Sequence, residues 1–373
     1  MKRTEVAIVG GGLAGLCAAR RMRAAGVAFT LFEARDRLGG RIQSVDDAGA
    51  ASPDGFDLGA SWFWPDRQPA VAALVADLGL LAFPQHFSGD MVVERMSRET
   101  PRRYRPVDDE PQSMRLAGGT GALIRALADG LPDDGVRLGC RVAGMTLDGD
   151  GIRLDVERDD GATDTVFADR VIAAVPPRLL DARVSFVPPV DAATALQWRA
   201  TGTWMAPHAK FFAFYDRPFW REAGLSGTAQ SFVGPMAEIH DATTASGSAA
   251  LLGFLAAGAE QRAAAGEAAL AEACVGQLAR LFGAEARAPR GTFLKDWATD
   301  AWTATERDRG AAPHPAADPA PWIAGAWRER LILAGSETSA VEPGFMAGAI
   351  EAARAAAEEV LSKRGDAARD PRQ

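Results

Sequence analysis

The sequence of 373 residues predicts an α/β protein of two domains, and three observations carry this prediction. An apolar strand at residues 6–9 leads through a glycine-rich turn into a helix and a second apolar strand at residues 28–32, the order of a parallel β-α-β unit. Near the end of the chain, residues 331–361 indicate a strand, a loop and a long helix. Between them, residues 200–299 mix strands with an alanine-rich helix near 260–282, which indicates a separate domain of mixed α+β structure.

The glycine-rich turn has the spacing of a dinucleotide-binding site. Gly10, Gly12 and Gly15 follow the first strand in the pattern GxGxxG, and the helix behind them offers N–H groups and a positive dipole end to phosphates. Glu33 ends the second strand 18 residues after Gly15, where an acid can accept hydrogen bonds from both ribose hydroxyls. Because such an acid disfavours a 2′-phosphate, we expect FAD or NAD rather than NADP.

A second glycine pair follows Glu33 in the arrangement E-x5-G-G-R, formed by Gly39, Gly40 and Arg41. A plain NAD-binding domain does not need this pair. An extended cofactor does, because two glycines let a loop lie along a diphosphate and an arginine can neutralise its charge. The whole stretch resembles the FAD-binding opening of the flavoproteins that include amine oxidases, phytoene desaturases and protoporphyrinogen oxidases.

Composition limits the classes of function. The net charge of −8 lacks the basic character that nucleic-acid binding requires, and no apolar run approaches the length of a membrane span. Cys17, Cys140 and Cys274 lack CxxC spacing, and the first strand begins almost at once, so we expect reduced thiols, no signal peptide and a cytoplasmic location. The four histidines form no HxxxH pair, so no metal site is expected. The oligomeric state is left open.

Later segments resemble elements of the flavin-containing amine oxidases, and the similarity runs over nearly the whole chain. They are "FDLGASWFWP" (56–65), "LAGGTGALIRALADGL" (116–131), "RVIAAVPP" (170–177), "KFFAFYDRPFW" (210–220) and "LKDWATDAW" (294–302). The closing segment, 331–361, combines A-G-x-E-T with P-G-F-M-x-G-A-I-E-A, the pattern of that family's last FAD-binding motif.

This resemblance implies a two-domain FAD-binding Rossmann-like fold with a mixed α+β substrate domain. The FAD-binding domain would comprise residues 1–81, 116–199 and 300–362, and the substrate domain residues 82–115 and 200–299. The polar residues 363–373 are expected to form a disordered tail.

Lys210 is the first candidate catalytic residue. In the alternating strand "KFFAFY" it shares a face with Phe212 and Phe214, and burying an ammonium beside aromatic rings is costly unless something requires it. The alternative is a lysine at a strand end whose ammonium reaches solvent. By resemblance, Lys210 would hold a water against flavin N5 and promote reoxidation by oxygen. By the same resemblance, Trp297 would stack near the isoalloxazine ring, and the alternative of a core tryptophan does not exclude that role.

The resemblance also assigns the residues that bind FAD. They are Gly10, Gly12, Leu13, Ala14, Gly15, Glu33, Ala34, Arg35, Gly39, Gly40, Arg41, Gly59, Ala60, Ser61, Trp62, Val142, Gly335, Ser336, Glu337, Gly344, Phe345, Met346 and Ala349. Glu337 would bind the ribityl or diphosphate region. The last helix would begin near Gly344 with its N-terminus aimed at the flavin pyrimidine, where negative charge collects on reduction.

Three departures from the family pattern affect the predicted function. Glu306 occupies the position that can carry a covalent flavin cysteine, so FAD is expected to be bound without a covalent bond. Phe345 supplies one wall of the aromatic cage that guides the amine, but the opposite position falls at Arg307, which would repel an ammonium and attract a carboxylate. Residues 82–115 are a much shortened form of a long helical insertion and would leave a wider entrance.

Arginines crowd the shortened segment. They could extend the positive charge near the entrance, or they could form a solvated loop offset by neighbouring acids. The arginines are Arg95, Arg98, Arg102, Arg103 and Arg105, and the acids are Glu94, Glu99, Asp108, Asp109 and Glu110.

The sequence therefore predicts an FAD-dependent oxidoreductase of the amine oxidase type, with a small-molecule substrate and molecular oxygen as partners. The departures favour an amine that bears an anionic group. Two alternatives remain open: a flavin desaturase or dihydropyridine-type oxidase on the same scaffold, and a flavoprotein without turnover.

Overall fold

A computed structural model describes residues 2–105, 112–310 and 313–367. Its helices are α1 (Leu13–Ala24), α2 (Pro69–Asp77), α3 (Gly121–Ala128), α4 (Pro177–Arg183), α5 (Ala192–Ala200), α6 (Phe219–Glu222), α7 (Ala259–Ala265), α8 (Glu267–Phe282) and α9 (Met346–Ala367). None of the helices in these ranges is both long and apolar enough to cross a membrane.

The strands follow the same chain order. They are β1 (Lys2–Val9), β2 (Phe29–Phe32), β3 (Ser44–Val45), β4 (Phe56–Asp57), β5 (Ala82–Pro84), β6 (Asp90–Glu94), β7 (Arg102–Tyr104), β8 (Met114–Leu116), β9 (Val136–Arg137), β10 (Cys140–Asp148), β11 (Gly151–Arg158), β12 (Thr163–Ala173), β13 (Ser185–Val187), β14 (Ala209–Tyr215), β15 (Leu225–Ser231), β16 (Met236–Asp241), β17 (Ala249–Leu255), β18 (Gly291–Asp296) and β19 (Leu331–Leu333).

The chain forms two compact units, each assembled from separate segments. The first unit comprises Met1–Arg41, Leu123–Trp204 and Ala312–Gln373, and the second comprises Ile42–Ala122 and Met205–Ala311. These bounds differ from the expected domain bounds at residues 42–81, 116–122 and 300–310, which lie in the second unit, and at residues 200–204, which lie in the first. The physical reason is packing, since Phe56 lies against Phe212 and Phe214 with ring centroids 6.3 and 4.8 Å apart. How cofactor and substrate binding divide between domains stays a prediction.

The first unit is built on the predicted parallel sheet. Its strands lie in the order β13-β10-β11-β12-β1-β2-β9, and β19 pairs with the end of β12. β1 runs parallel to β2 and β12, while β10, β11 and β12 form an antiparallel run. α1 and α9 pack against each other, and the sheet is covered on one face by a core that includes Trp198 and Trp327.

The second unit is a seven-stranded sheet in the order β18-β14-β17-β16-β15-β6-β7. β14 lies between β17 and β18, and all seven of its residues are buried. Phe211, Ala213 and Tyr215 pack toward the core under α8, whereas Phe212 and Phe214 pack in a second core with Phe56 and Trp297. Alternate residues of β14 therefore face two different cores, as the alternation predicts.

Two expected elements are wrong in detail. The alanine-rich segment 260–282 is not one helix, because Gly266 has a φ of +79° and separates α7 from α8. α9 continues to Ala367, so residues 363–367 of the expected disordered tail are helical, and residues 368–373 lie outside the described residues.

Candidate functional site

The turn between β1 and α1 requires glycine at its first and last positions. Gly10 has a φ of +106°, and a Cβ on Gly15 would lie 1.9 Å from the carbonyl oxygen of Gly10. Gly12 differs from both: its φ of −77° suits any residue, and a Cβ there would have no protein atom closer than 3.8 Å. Glycine at position 12 therefore keeps a space open beside the start of α1.

The second glycine pair lies directly on this turn. The N–H of Gly39 donates to the carbonyl of Gly11 over 2.8 Å, and Gly39 also pairs with Gly12 in a short parallel bridge. The buried Glu33 carboxylate accepts from the N–H of Gly11 at 2.7 Å and of Arg35 at 2.9 Å. A carboxylate has about four lone-pair sites, so this fixed group can still accept from ribose hydroxyls.

Arg41 is held in place by residues that lie far away in the sequence. It donates to both carboxylate oxygens of Glu337, at 2.6 and 3.1 Å, and to the carbonyl of Trp204 at 3.0 Å. Burial opposes the charge of Glu337, but the Arg41 guanidinium and its hydrogen bonds hold the pKa of this carboxyl below its usual value. Ser336 Oγ and the N–H of Trp204 also donate to this carboxylate. In the structure, Glu337 therefore orients Arg41.

These groups fit a dinucleotide. No side chain caps the N-terminus of α1, and the space at Gly12 lies beside those N–H groups. Arg41, with its side chain 26% exposed, adds a fixed cation in the same unit. A diphosphate could accept hydrogen bonds from the helix start and balance the arginine. Gly335 is also required locally, since a Cβ there would lie 2.5 Å from the carbonyl of Val175.

The predicted lysine is buried in the second unit. Lys210 is 2% exposed, so its ammonium does not reach solvent. Its Nζ donates to the carbonyls of Asp57 at 3.1 Å and Gly59 at 2.5 Å, and to Ser61 Oγ at 2.8 Å. All three acceptors come from the end of β4 and the loop after it, within the stretch 56–65 that resembles a family element.

Two aromatic rings complete the surroundings of the lysine. Nζ lies 5.5 Å from the ring centroid of Trp62 and 5.2 Å from that of Phe254. Burial lowers the pKa of Lys210 to about 7, although the carboxylate of Asp57 acts in the opposite direction. We call Lys210, Ser61, Trp62 and Phe254 the Lys210 cluster. It contains an amine that can change its protonation state near neutral pH.

Trp297 is a buried residue of the same unit. Its indole Nε1 donates to the carbonyl of Leu58 over 3.0 Å, and Lys295 Nζ lies 4.2 Å from its ring centroid. It packs in the core that contains Phe212 and Phe214. The core interpretation of this tryptophan is therefore correct, and its role beside a flavin stays a prediction.

Phe345 lies at the start of α9 in the first unit. Within that unit its ring stacks on His314, with centroids 4.7 Å apart, and lies 6.2 Å from the ring of Trp204. Gly344, before it, has a φ of +83° and allows close approach to Trp204. Arg307 lies in the second unit, exposed on a short 3-10 turn at Glu306–Asp308. Its role toward substrate stays a prediction.

The arginine cluster is solvent-exposed. Arg105 pairs with Asp90, and Arg103 Nη1 lies 3.5 Å from the carbonyl of Ala223. Glu94 is not one of the offsetting surface acids, because it is buried and binds Arg280. Asp108, Asp109 and Glu110 lie outside the described residues.

The remaining assigned residues are spread over both units. Leu13 and Ala14 form the first turn of α1, and Ala34 and Arg35 follow β2. Val142 lies buried in β10, which begins beside Glu33 because the N–H of Cys140 donates to the Glu33 carbonyl. Ala60 accepts from Thr120 Oγ1, Gly40 follows Gly39 with a φ of +58°, and Met346 and Ala349 lie in the first turn of α9.

Sequence reasoning missed several polar groups near the Lys210 cluster. Asp57 is buried and binds Ser44 and Thr120, and burial raises the pKa of its carboxyl. Gln85 accepts from the indole of Trp62, and the buried Arg115 donates to the carbonyl of Thr243. The one available signal was the charged residue inside the apolar stretch "MRLAGG", since a lone arginine before a glycine turn is unusual in a buried strand.

Comparisons with known proteins agree with this geometry. The profile of the family described as flavin containing amine oxidoreductase matches residues 102–361, and that of an NAD(P)-binding Rossmann-like domain matches residues 8–78. The AofH protein of Mycobacterium tuberculosis strain H37Rv, which its name assigns to the flavin-containing monoamine oxidases, is 28% identical over 459 aligned positions that cover 96% of each chain.

Two further comparisons involve putrescine oxidases. The enzyme of Kocuria rosea is 26% identical over 330 positions, which cover 60% of this chain and 67% of that relative. The structure of a putrescine oxidase with redesigned cofactor binding superposes with a TM-score of 0.80 at 23% identity, covering 97% of this chain and 99% of the other. This likeness confirms the two-domain fold. The family profile matches more than half of the residues, and the chain therefore belongs to the flavin-containing amine oxidoreductase family as an FAD-dependent oxidoreductase of the amine oxidase type.

Proposed function

We propose that this protein oxidises a small amine to an imine and uses molecular oxygen as the electron acceptor. Bound FAD would supply the two-electron redox chemistry by which the amine loses a hydride and a proton to become the imine and oxygen is reduced to hydrogen peroxide. The observation that carries the proposal is the buried ammonium of Lys210 beside two aromatic rings.

Lys210 has the environment of a functional group. A buried lysine without a function would lower the stability of the fold, because burial without full pairing disfavours an ammonium by several kcal/mol. Here three oxygen acceptors hold Nζ, and none of them is a carboxylate, so the charge is only weakly compensated. Such a group can release or take up a proton near pH 7, and it could donate to a water only by releasing one of these three acceptors.

The other residues of the proposed site would bind FAD and orient the substrate. The turn at Gly10–Gly15 and the Arg41–Glu337 pair would hold the diphosphate, and Glu33 would accept from ribose. Phe345, stacked on His314, would present an aromatic wall to the substrate amine. Glu306 offers no thiol for a covalent link, so FAD would be held without one.

An anaerobic reduction screen tests this proposal. Amines of different size and charge, together with non-amine compounds, are mixed with the holoprotein, and loss of the visible flavin absorbance marks an oxidised substrate. Air is then admitted and hydrogen peroxide is measured. Bleaching by amines with peroxide release supports the proposal. Bleaching by non-amine substrates alone points to a desaturase, and absence of bleaching by any compound points to a flavoprotein without turnover.

A further inference from the structure

A polar cavity lies in the second unit, beside the Lys210 cluster. Its volume is about 510 Å³, within the range of roughly 300–1,000 Å³ typical of small-molecule sites. The cavity is bounded by residues of β5 and the loop after it, by Arg221 of α6, and by residues that follow β16. No aspartate or glutamate occurs among the described residues that line it.

Gln85 connects the cavity to the Lys210 cluster. Its Oε1 accepts from the indole of Trp62 at 2.7 Å, and its Nε2 donates to the carbonyl of Asp241 at 2.8 Å. The same side chain lines the cavity. Trp62 therefore contacts both Gln85 of the cavity wall and Lys210, and this one aromatic residue links the two places.

The wall of the cavity carries positive charge. Arg221 is 31% exposed and uses its Nε to bind Asp241 at 2.7 Å, while in the described part of the chain its two terminal nitrogens have no partner. Arg115 is also in the wall, but its terminal nitrogens donate to the carbonyls of Thr243 and Ala242. Burial and the Arg221 charge lower the pKa of His86, so the arginines supply the charge of this wall.

Two buried polar atoms of the wall have no hydrogen-bond partner among the described residues. They are Oγ1 of Thr243, a residue 4% exposed, and Nε2 of His86. A buried polar atom without a partner costs about 1–3 kcal/mol, so such atoms mark places where a ligand or water belongs. Both atoms belong to residues that line the cavity with Arg221.

Two acids near the wall, Asp241 and Asp54, already accept hydrogen bonds, whereas Oδ2 of the buried Asp57 has no partner among the described residues. Asp241 accepts from Trp220, Arg221 and the N–H of Thr243, and these donors hold the pKa of its carboxyl below its usual value despite burial. Asp54 accepts from the hydroxyl of Thr244. Among the described residues no acid lines the cavity, and the terminal nitrogens of Arg221 have no partner there, which favours an acceptor with negative charge.

We propose that this cavity binds a carboxylate group of the substrate, with the terminal nitrogens of Arg221 and the hydroxyl of Thr243 as its donors. The proposal rests on the proposed amine oxidation, and it places the anion-binding arginine at position 221 rather than 307. The planar guanidinium suits a carboxylate, because its N–H groups match the two oxygens. A second ammonium on the substrate, as in putrescine, would meet Arg221 and be repelled.

Binding of acids that contain no amine tests the cavity separately from the oxidation. 3-Phenylpropionate and 4-phenylbutyrate are titrated calorimetrically into the holoprotein, and their amides serve as neutral controls of the same shape. Wild type is expected to bind an acid at least tenfold more tightly than its amide. Arg221→Met is expected to lower the affinity for the acids by about tenfold, and Thr243→Val by about threefold or more. Neither variant should change the affinity for the amides much.

The chain offers a matched control for each variant. Arg280 also binds a buried acid, Glu94, but it does not line the cavity. Arg280→Met therefore removes a guanidinium from a similar ion pair outside the cavity and is the control for Arg221→Met. Thr228 does not line the cavity, and its buried hydroxyl also has no hydrogen-bond partner among the described residues. Thr228→Val is therefore the control for Thr243→Val. Both controls should keep wild-type acid affinity. Thr243→Val is nearly isosteric and keeps the test valid if Arg221→Met does not fold.

The outcomes separate the two proposals. If acids bind through Arg221 and Thr243 while no amine reduces the flavin, the cavity assignment stands and the amine oxidation falls. If amines reduce the flavin while acids bind no better than amides, or the controls lose as much affinity as the cavity variants, the cavity assignment is overturned. Preference for a diamine over an amino acid overturns it as well, and would direct attention to the exposed Glu238 carboxylate beside His240.

Discussion

Substitution of Gly12 should abolish FAD binding and leave the protein folded. The backbone at Gly12 has φ −77° and ψ −175°, and an added Cβ would lie 3.8 Å from the nearest protein atom. We therefore expect Gly12→Ala and Gly12→Val to change the free energy of unfolding of the apoprotein by no more than about 1 kcal/mol. A side chain there would fill the space beside the α1 N-terminus and displace a diphosphate. Loss of two charge-assisted hydrogen bonds at about 1.5–3 kcal/mol each lowers affinity by roughly a hundredfold or more.

The assay combines FAD titration of the apoprotein, followed by flavin fluorescence, with thermal unfolding of the same samples. Gly15→Ala is the control, because its Cβ would lie 1.9 Å from the Gly10 carbonyl and must distort the turn. This control should lower the melting temperature of the apoprotein by several degrees, whereas the Gly12 variants melt like wild type. Wild-type FAD affinity in Gly12→Val would refute the placement of the diphosphate.

The remaining predictions concern the cofactor link, the lysine and the candidate arginine. Acid or heat should release intact FAD into the supernatant, since Glu306 provides no thiol, and flavin retained on the denatured chain would contradict this. Lys210→Met should keep FAD and flavin reduction but slow reoxidation by oxygen in stopped-flow experiments, and an unchanged rate would remove Lys210 from that step. Burial lowers the pKa of Lys210 from 10.5 to about 7, so between these values the unfolded chain holds a proton that the folded chain lacks, and stability should rise with pH. Urea unfolding of the apoprotein at pH 7.5 and 9.5 should show this rise reduced in Lys210→Met by up to about 1.4 kcal/mol per pH unit. Arg307→Ala should leave the ratio of amino-acid to amine turnover unchanged if the carboxylate binds at Arg221, whereas a selective loss for anionic substrates would restore the role that the sequence assigned to Arg307.

The local features of this protein could be predicted because neighbours along the chain decide them. Gly10 and Gly15 are needed by a turn of six residues, and the alternation of β14 places Lys210 on the same face as Phe212 and Phe214. The acceptors of that lysine could not be predicted, since Asp57 lies 153 residues away in the sequence. Alternation along a strand predicts on which face of the sheet a side chain lies, but not which residues contact that face.

The contacts of Glu337 and Phe345 could not be predicted from the sequence for the same reason. The closing motif shows that both residues belong to a cofactor-binding segment, but 296 residues separate Glu337 from Arg41, and only the folded chain shows that this carboxylate orients the arginine. The ring stacked on Phe345 belongs to His314, which has no motif of its own in the sequence.

The sequence by itself determined the β-α-β unit, the open position at Gly12, the acid after β2 and the family, because each depends on short-range geometry or on motifs of fixed spacing. Only the tertiary structure decided which polar groups are buried together and which of them lack partners. Arg221, Thr243 and Gln85 come from three separate segments, and their convergence on one cavity depends on how the strands pair and pack. Hydrogen bonding and desolvation depend on distance in space, which spacing along the chain does not specify.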